Sequence, residues 1–434
     1  MIPSRWTKLR WHPEQQRLRA SSARWRVVAA GRRSGKTELA KRRLIEAALD
    51  PPMVSVPTFI AAAPTRDQAK RIWWDDLKGM SPLQWVSHIS ESELTIYYKT
   101  GARVLVVGLD RPQRIEGIAI DGAVIDEIDE CRASVWTSSL RPALSTADRP
   151  GWCWFIGRPK GRRLLYDLFQ NAANTPDWEA FHWTSAEVIG PSEVAAARRD
   201  LDLRSFQQEY EAAFLSATGL VYYAFDRAKH LRTVRYDPSL PLVVALDFNV
   251  SPGSAVLLQE QMLPPWDNPH GAVVQHTVVV GEVHIPDDSR TDLVCQRIAQ
   301  RFAGHAQEVY LYGDPAGNQR RTSAQSNDWD IVRQHLRQVF SNVRDRVAKS
   351  APLVVDSSNS VNARLCNAAG EVRFAMDAAV APQLLMDLEG VAWIEDHATR
   401  EIDKSDSKRT HWSDALRYYL HERFPIGGNN MRVN

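Results

Sequence analysis

One stretch, Arg26-Val27-Val28-Ala29-Ala30-Gly31-Arg32-Arg33-Ser34-Gly35-Lys36-Thr37, constrains the fold more than any other. A short apolar strand runs into a turn of small and basic residues, and a helical pattern over 38–45 follows at once. Such a strand, loop and helix start, ending in Gly-Lys-Thr, can hold the phosphates of a nucleotide. Backbone N–H groups and the helix dipole face the anion, Lys36 reaches the β/γ-phosphates, and Thr37 offers its hydroxyl to Mg²⁺. The usual pattern begins with glycine five residues before Gly35; here Ala30 stands there and Gly31 follows. The bland alternative is a basic turn that happens to spell Gly-Lys-Thr.

A second element weighs against that alternative. Ala123-Val124-Ile125-Asp126-Glu127 is an apolar strand ending in two acids, which are costly to bury without a partner or a metal. Asp126 is expected beside the Thr37–Mg²⁺ position, with Glu127 free to orient or deprotonate an attacking water. A strand running out into an acidic loop is the competing reading, since Asp129 and Glu130 follow. Taken with Lys36, the pair points to ATP hydrolysis. Upstream, Gln15 follows Pro13 about 20 residues before the loop. Its amide suits the edge of adenine, or it is simply a polar helix start.

At 434 residues the chain has room for two domains, each with its own core. Its 44% hydrophobic and 24% charged residues are ordinary for a soluble globular protein. No apolar run approaches the roughly 18 residues that span a bilayer, and the N-terminus lacks the apolar core of a signal peptide. Cys131, Cys153, Cys295 and Cys366 lie far apart without metal-ligand spacing, so reduced cytosolic thiols are expected. Residues 1–50 hold 13 Lys/Arg against 4 Asp/Glu. That excess of nine suits a polyanionic partner, although Lys and Arg also solvate ordinary helices.

Asp50-Pro51-Pro52 breaks the first helix. Residues 59–63 then read as a buried strand and 65–77 as a helix. Residues 93–98 and 103–107 read as a hairpin. A strand over 152–156 ends in Gly157-Arg158-Pro159-Lys160-Gly161, with a helix over 162–169. The alternation predicts an α/β nucleotide-binding core. A turn like 157–161 is where such sheets meet ligands, or it is a plain turn. Arg141 and Arg158 both suit charge stabilisation of a transferring phosphoryl group, and the residues alone do not choose between them. Residues 192–200 and 204–215 read as polar helices, followed by Gly219 and Asp237-Pro238-Ser239-Leu240-Pro241, the pattern of a connector and a boundary.

The second half repeats one device. An apolar strand over 242–247 ends in Asp247, and another over 309–313 ends at Asp314. Between them lie strands over 254–258 and 276–284 and a helix over 291–302. His411-Trp412-Ser413-Asp414 starts a helix running through Arg423. Asp414 is either an N-terminal cap or a third inward-facing acid. Singly, each acid reads as a cap or turn residue. Together they can converge on two Mg²⁺ ions about 4 Å apart, the arrangement that cleaves phosphodiesters.

With these residues assembled, the chain resembles the large terminase subunit of tailed bacteriophages. The match runs from Pro13-Glu14-Gln15 to Ala415-Leu416-Arg417-Tyr418. That family carries a deviant Walker A motif of the Gly-Arg-x-x-Gly-Lys-Thr kind, a Walker B motif ending in Asp-Glu, and a Gly-x-Pro-Lys-Gly turn. Here these match 31–37, 126–127 and 157–161, with Arg158 where threonine is common; the turn is the motif that couples hydrolysis to movement. Phe206-Gln207-Gln208-Glu209-Tyr210 and Phe214 resemble its linker subdomain. Asp-Phe-Asn at 247–249, Gly-Asp-Pro-Ala-Gly at 313–317 and His-x-Ser-Asp-Ala at 411–415 resemble its ribonuclease H-like nuclease.

The resemblance implies an α/β chain in four parts. These are a P-loop packaging ATPase with a mainly parallel sheet over 1–185, a helical linker over 186–240, a mixed-sheet ribonuclease H-like nuclease over 241–424, and a mobile tail over 425–434. It implies ATP on Gln15, Gly31, Arg32, Arg33, Ser34, Gly35, Lys36, Thr37 and Asp126, with Mg²⁺ on Thr37 and Asp126. Glu127 is the implied base and Arg141 the implied trans-acting arginine. Asp247, Asp314 and Asp414 are implied ligands for Mg²⁺, or Mn²⁺ in its place. The implied activity is ATP-driven movement of double-stranded DNA into a procapsid, with endonuclease cutting of concatemers. Implied partners are a small terminase subunit, the portal protein and sister copies in a ring, the free chain being a monomer. The implied setting is the host cytoplasm and, transiently, the portal vertex, with no membrane. A host helicase-nuclease without a capsid, and a DNA-binding scaffold with decayed sites, stand as alternatives.

Overall fold

The computed structural model describes residues 4–6, 10–132, 134–147, 149–161, 163–172, 175–215, 219–249, 251–265, 270–287, 289–319, 326–394, 401–406 and 409–426. Of the expected tail, 427–434 lie outside the described residues. The chain forms two compact units, the first made of Met1–Val194 with Gln207–Ser216 and the second of Ala195–Phe206 with Ala217–Asn434.

The first unit is built on an eight-stranded sheet. Its strands are β1 (Trp25–Ala30), β2 (Thr58–Ala63), β3 (Val86–Ser90), β4 (Thr95–Tyr98), β5 (Arg103–Gly108) and β6 (Gly122–Asp126). After the small ribbon of β7 (Ser145–Thr146) and β8 (Arg149–Pro150) come β9 (Trp152–Gly157) and β10 (Trp178–Trp183). The spatial order is β10-β1-β9-β6-β2-β5-β4-β3. All neighbours from β10 to β5 are parallel, and β3 and β4 add antiparallel pairs at one edge.

Burial on both faces follows from the crossovers, which put helices on each side of a parallel sheet. In β1, Val28 and Ala30 join one apolar cluster with Leu39, Leu44 and Trp73, while Trp25, Val27 and Ala29 join another with Ile125, Phe155 and Leu165. The helix Lys36–Leu49 stops before the two prolines, as expected. The expected helix over 65–77 runs on to Met80, through a π-helical turn at Lys70–Trp74.

One expectation was too long. The helix Leu203–Glu209 ends well before residue 215. The carbonyls of Glu209 and Tyr210 accept N–H bonds from Arg32 (2.7 Å) and Ser185 (2.7 Å), and Ala212 takes a left-handed φ of 54°. The segment is thereby committed to the residues that follow β1 and β10 rather than to a further helical turn.

The second unit has a six-stranded mixed sheet. Its strands are β11 (Leu242–Asp247), β12 (Gly253–Leu263), β13 (Val274–Ile285), β14 (Val309–Gly313), β15 (Val343–Asp345) and β16 (Phe374–Met376), ordered β15-β14-β11-β12-β13-β16. The β12 strand extends past the expected 254–258 because it pairs with β13 along its whole length. Val243 and Ala245 face the helices Val354–Leu365, Pro382–Gly390 and His411–Arg423, whereas Leu242, Val244 and Leu246 face Thr291–Arg301 and Asp328–Val339. No helix among the described residues is long and apolar enough to cross a membrane.

Candidate functional sites

In the first unit, the carboxyl ends of β1, β9 and β6 lie side by side, with β9 between the other two. Gly31 leaves β1 where a Cβ would meet the Tyr210 carbonyl at 2.5 Å and Ser185 Oγ at 2.4 Å. Glycine is therefore required at 31, while Ala30 is still a buried strand residue. The glycine standing one place late has its steric reason here.

Arg32 and Arg33 are exposed, Arg33 with a left-handed φ of 54°. Ser34 is buried, and its carbonyl accepts from Trp183 Nε1 (3.0 Å) and Gln15 Nε2 (3.3 Å). Gly35 follows with φ 78° and leads into the helix. Lys36 is 8% exposed and makes no hydrogen bond or ion pair among the described residues. Burial pulls its pKa down, against the attraction of Asp126 and Glu127. A buried ammonium without a partner at a helix start is a place for an anion.

Thr37 Oγ1 donates to Asp126 Oδ2 at 2.7 Å, so the hydroxyl and the carboxylate meet as the two motifs imply. Burial pushes the Asp126 carboxyl up, with Lys36 pulling it back. Glu127 has φ 53° and ψ 46°, an unusual conformation for a side-chain-bearing residue, and such strain concentrates at functional sites. Its Oε1 lies 3.5 Å from Arg158 Nε, and its buried Oε2 has no hydrogen-bond partner, with Lys160 Nζ 3.8 Å away. Arg158 also pairs with Glu209, whose carboxylate lies 3.8 Å from Arg32 Nη1.

The neighbouring acids have other duties. Asp129 accepts the N–H groups of Lys160 (3.0 Å) and Leu165 (2.7 Å), fixing the turn after β9, and Glu130 pairs with Lys160. Arg141 lies elsewhere. Its guanidinium sits 4.6 Å over the ring of Trp25, at the opposite end of β1 from the loop. Of the two arginines left open by the sequence, Arg158 is the one brought to Glu127 within the chain.

In the second unit, β11 and β14 run parallel with Leu246 opposite Gly313, so Asp247 and Asp314 leave adjacent strand ends. Gly313 has φ 151°, and a Cβ there would meet the Leu246 carbonyl at 2.1 Å; the close approach excludes other residues. Asp314 N donates to that carbonyl (3.1 Å), its own carbonyl accepts from Trp329 Nε1 (2.7 Å), and its Oδ1 accepts from Ala316 N (2.9 Å). Asp247 Oδ2 accepts from Asn249 Nδ2 (2.6 Å) and lies 3.2 Å from His411 Nδ1. Burial raises the Asp247 pKa, with His411 lowering it and Asp414 raising it.

Asp414 is 4% exposed, on the first turn of the helix His411–Arg423. It does not cap that helix. The cap is Asp387, from a different helix, whose carboxylate accepts N–H bonds from Thr410 (3.1 Å), Trp412 (3.1 Å) and Ser413 (3.0 Å). Asp414 instead pairs with Arg417 (2.9 Å) and Lys404 (3.1 Å). Tyr418 lies in the field of all three acids. Burial raises its pKa first, and Asp314, Asp247 and Asp414 add to the rise. Carboxylate oxygens are the donors that hard divalent ions take. Among the described residues no three His, Cys, Asp or Glu side chains form a ready-made metal cage.

The Asp387 contacts carry a prediction of their own. Asp387→Ala leaves three buried N–H groups without acceptors and should lower stability by about 2–4 kcal/mol. A denaturant melt with an unchanged midpoint would remove Asp387 as the cap.

A mainly parallel sheet carrying a P-loop and a six-stranded mixed sheet, joined in one chain, define the class of two-unit α/β fold. Comparisons with known proteins show what this fold is similar to. The chain is 29% identical over 252 residues to a protein of Thermus phage G20c described as "Terminase, large subunit", across 50% of this chain and 51% of that one. It thus spans about half the length of the curated relatives it matches. Its fold is similar to the large terminase of a thermophilic bacteriophage, with a TM-score of 0.59 and 17% identity over 95% of this chain and 99% of that one. A second structure of that phage terminase, in complex with ATP-gamma-S, aligns with a TM-score of 0.56 and 17% identity over the same shares. No protein-family model matches. The resemblance carried by the motifs therefore stands, and the fold is that of the phage large terminases.

Proposed function

We propose that this chain is the motor and nuclease of a viral genome-packaging machine. It hydrolyses ATP to drive double-stranded DNA into a procapsid and cuts concatemeric DNA with a metal-dependent endonuclease. The observation that carries the reading is the convergence of Lys36, Thr37, Asp126 and Glu127 at adjacent strand ends, in a chain that also clusters Asp247, Asp314 and Asp414. The ATPase role belongs to 1–185, a connecting role to 186–240 and the nuclease role to 241–424.

In the first unit, the loop from Gly31 to Gly35 cradles the phosphates and Lys36 neutralises them. Thr37 and Asp126 would hold Mg²⁺, which neutralises phosphate charge when bound. Glu127 takes the proton of the attacking water through its unpartnered oxygen, while Arg158 and Lys160 flank its carboxylate. Arg141, exposed and remote from its own loop, serves a neighbouring copy in the ring. In the second unit, Asp247, Asp314 and Asp414 would hold the divalent ions, which supply Lewis acidity for phosphodiester cleavage. His411 and Asn249 orient Asp247. The small terminase subunit, the portal protein and sister copies complete the assembly in the host cytoplasm.

The first test is direct. The purified chain should hydrolyse ATP and, with Mg²⁺ or Mn²⁺, nick plasmid DNA; absence of both activities in the folded chain sinks the proposal. Base selection gives a finer one. An amide pairs with the donor and acceptor on adenine's edge but mispairs with guanine. Gln15→Ala should therefore erode the preference for ATP over GTP more than it lowers turnover at saturating ATP. If Gln16→Ala does this instead, the adenine contact is assigned one residue too early.

A further inference from the structure

We infer that Lys404 is a built-in competitor for the divalent ion at Asp414, its ammonium having to leave before a metal can use that carboxylate. The inference rests on the reading of Asp247, Asp314 and Asp414 as metal ligands. The two oxygens of Asp414 are divided between two cations. Oδ1 accepts from Arg417 Nη2 (2.9 Å) and Nε (3.2 Å), and Oδ2 accepts from Lys404 Nζ (3.1 Å).

The two cations differ in kind. Arg417 is one turn along the same helix, is 4% exposed, and also donates to Ser357 Oγ (2.7 Å). It belongs to the core and stays. The Lys404 side chain is 61% exposed and comes from outside the helix, two residues after the bridge between Trp393 and Ile402. A lysine ammonium is a compact point charge on a flexible stem. It neutralises the carboxylate cluster without metal and can swing into water when a stronger cation arrives. Lysine and metal compete for Oδ2, since two cations held at one oxygen repel each other.

This gives a sign that other roles do not share. If Lys404 competes, removing it tightens metal binding. If it only positions Asp414, removing it weakens metal binding. If the pair is an idle surface contact, removal changes nothing.

The test is Mn²⁺ binding to the full chain without nucleotide, followed by the electron paramagnetic resonance signal of free Mn²⁺. Binding at the nuclease site is the part lost in Asp247→Asn, made in each background. Lys404→Ala should lower the Kd of that site about two- to fivefold, the worth of a half-exposed ion pair. Lys404→Arg, which keeps the charge, should stay near the parent value. Unchanged or weaker Mn²⁺ binding in Lys404→Ala overturns the inference. A parent chain with no Asp247-dependent Mn²⁺ site overturns the metal reading beneath it, and the role of Lys404 falls with it.

Discussion

Replacing Glu127 by glutamine is expected to cut steady-state ATP turnover about 10²–10⁴-fold while ATP still binds. The substitution keeps size and polarity and removes only the base. Glu127 is held in a strained left-handed conformation with one oxygen near Arg158 and the other buried without a hydrogen-bond partner. An acid placed this way, next to the Thr37–Asp126 contact, is set up to take a proton rather than to support the fold. Lys36→Ala should behave differently, weakening ATP binding as well as turnover, if its buried ammonium is the cation proposed to meet the phosphates. A titration with a slowly hydrolysed analogue separates the two variants. Near-normal hydrolysis in the Glu127→Gln protein would take the base assignment away from Glu127.

Replacing Asp247 by alanine is expected to abolish DNA cleavage at any Mg²⁺ or Mn²⁺ concentration. Asp247 leaves the sheet beside Asp314 and lies in the field of Asp414, and Tyr418 lies in the field of all three. Losing it removes an oxygen donor that no neighbour can replace, since Asn249 and His411 only steady its carboxylate. ATP hydrolysis, proposed for the other unit, should persist in the same preparation. A plasmid-nicking assay and a phosphate-release assay on one sample check both halves. Residual cleavage near the parent rate would place the nuclease centre elsewhere, and a parallel loss of ATPase would point to a misfolded protein.

Much of this was legible in the sequence because it is local. The strand-loop-helix at 25–49 and the acids closing β6, β11 and β14 are set by apolar runs and by the residues that end them. What stayed hidden depends on pairing between distant segments. Nothing local says that β9 lies between β1 and β6, yet that order brings Arg158 to Glu127 and leaves Arg141 at the far end of β1. The cap-or-ligand ambiguity at Asp414 likewise turned on Asp387, 27 residues away in an ordinary helical stretch. The helix expected over 204–215 overran because its polar pattern gives no sign that the carbonyls at 209–210 serve the segments after β1 and β10. Trp183, whose indole N–H donates to the Ser34 carbonyl beside Gln15, is one of 15 tryptophans and carries no local sign of that role.

The central claim is that one chain couples ATP hydrolysis to the movement of DNA into a capsid and keeps cutting as a separable act. The most direct measurement is protection of linear double-stranded DNA from added nuclease, with this chain, ATP and portal-bearing procapsids. The account predicts ATP-dependent protection with the parent chain and with Asp247→Ala, and none with Glu127→Gln. Equal protection without procapsids, or protection that survives Glu127→Gln, would contradict it.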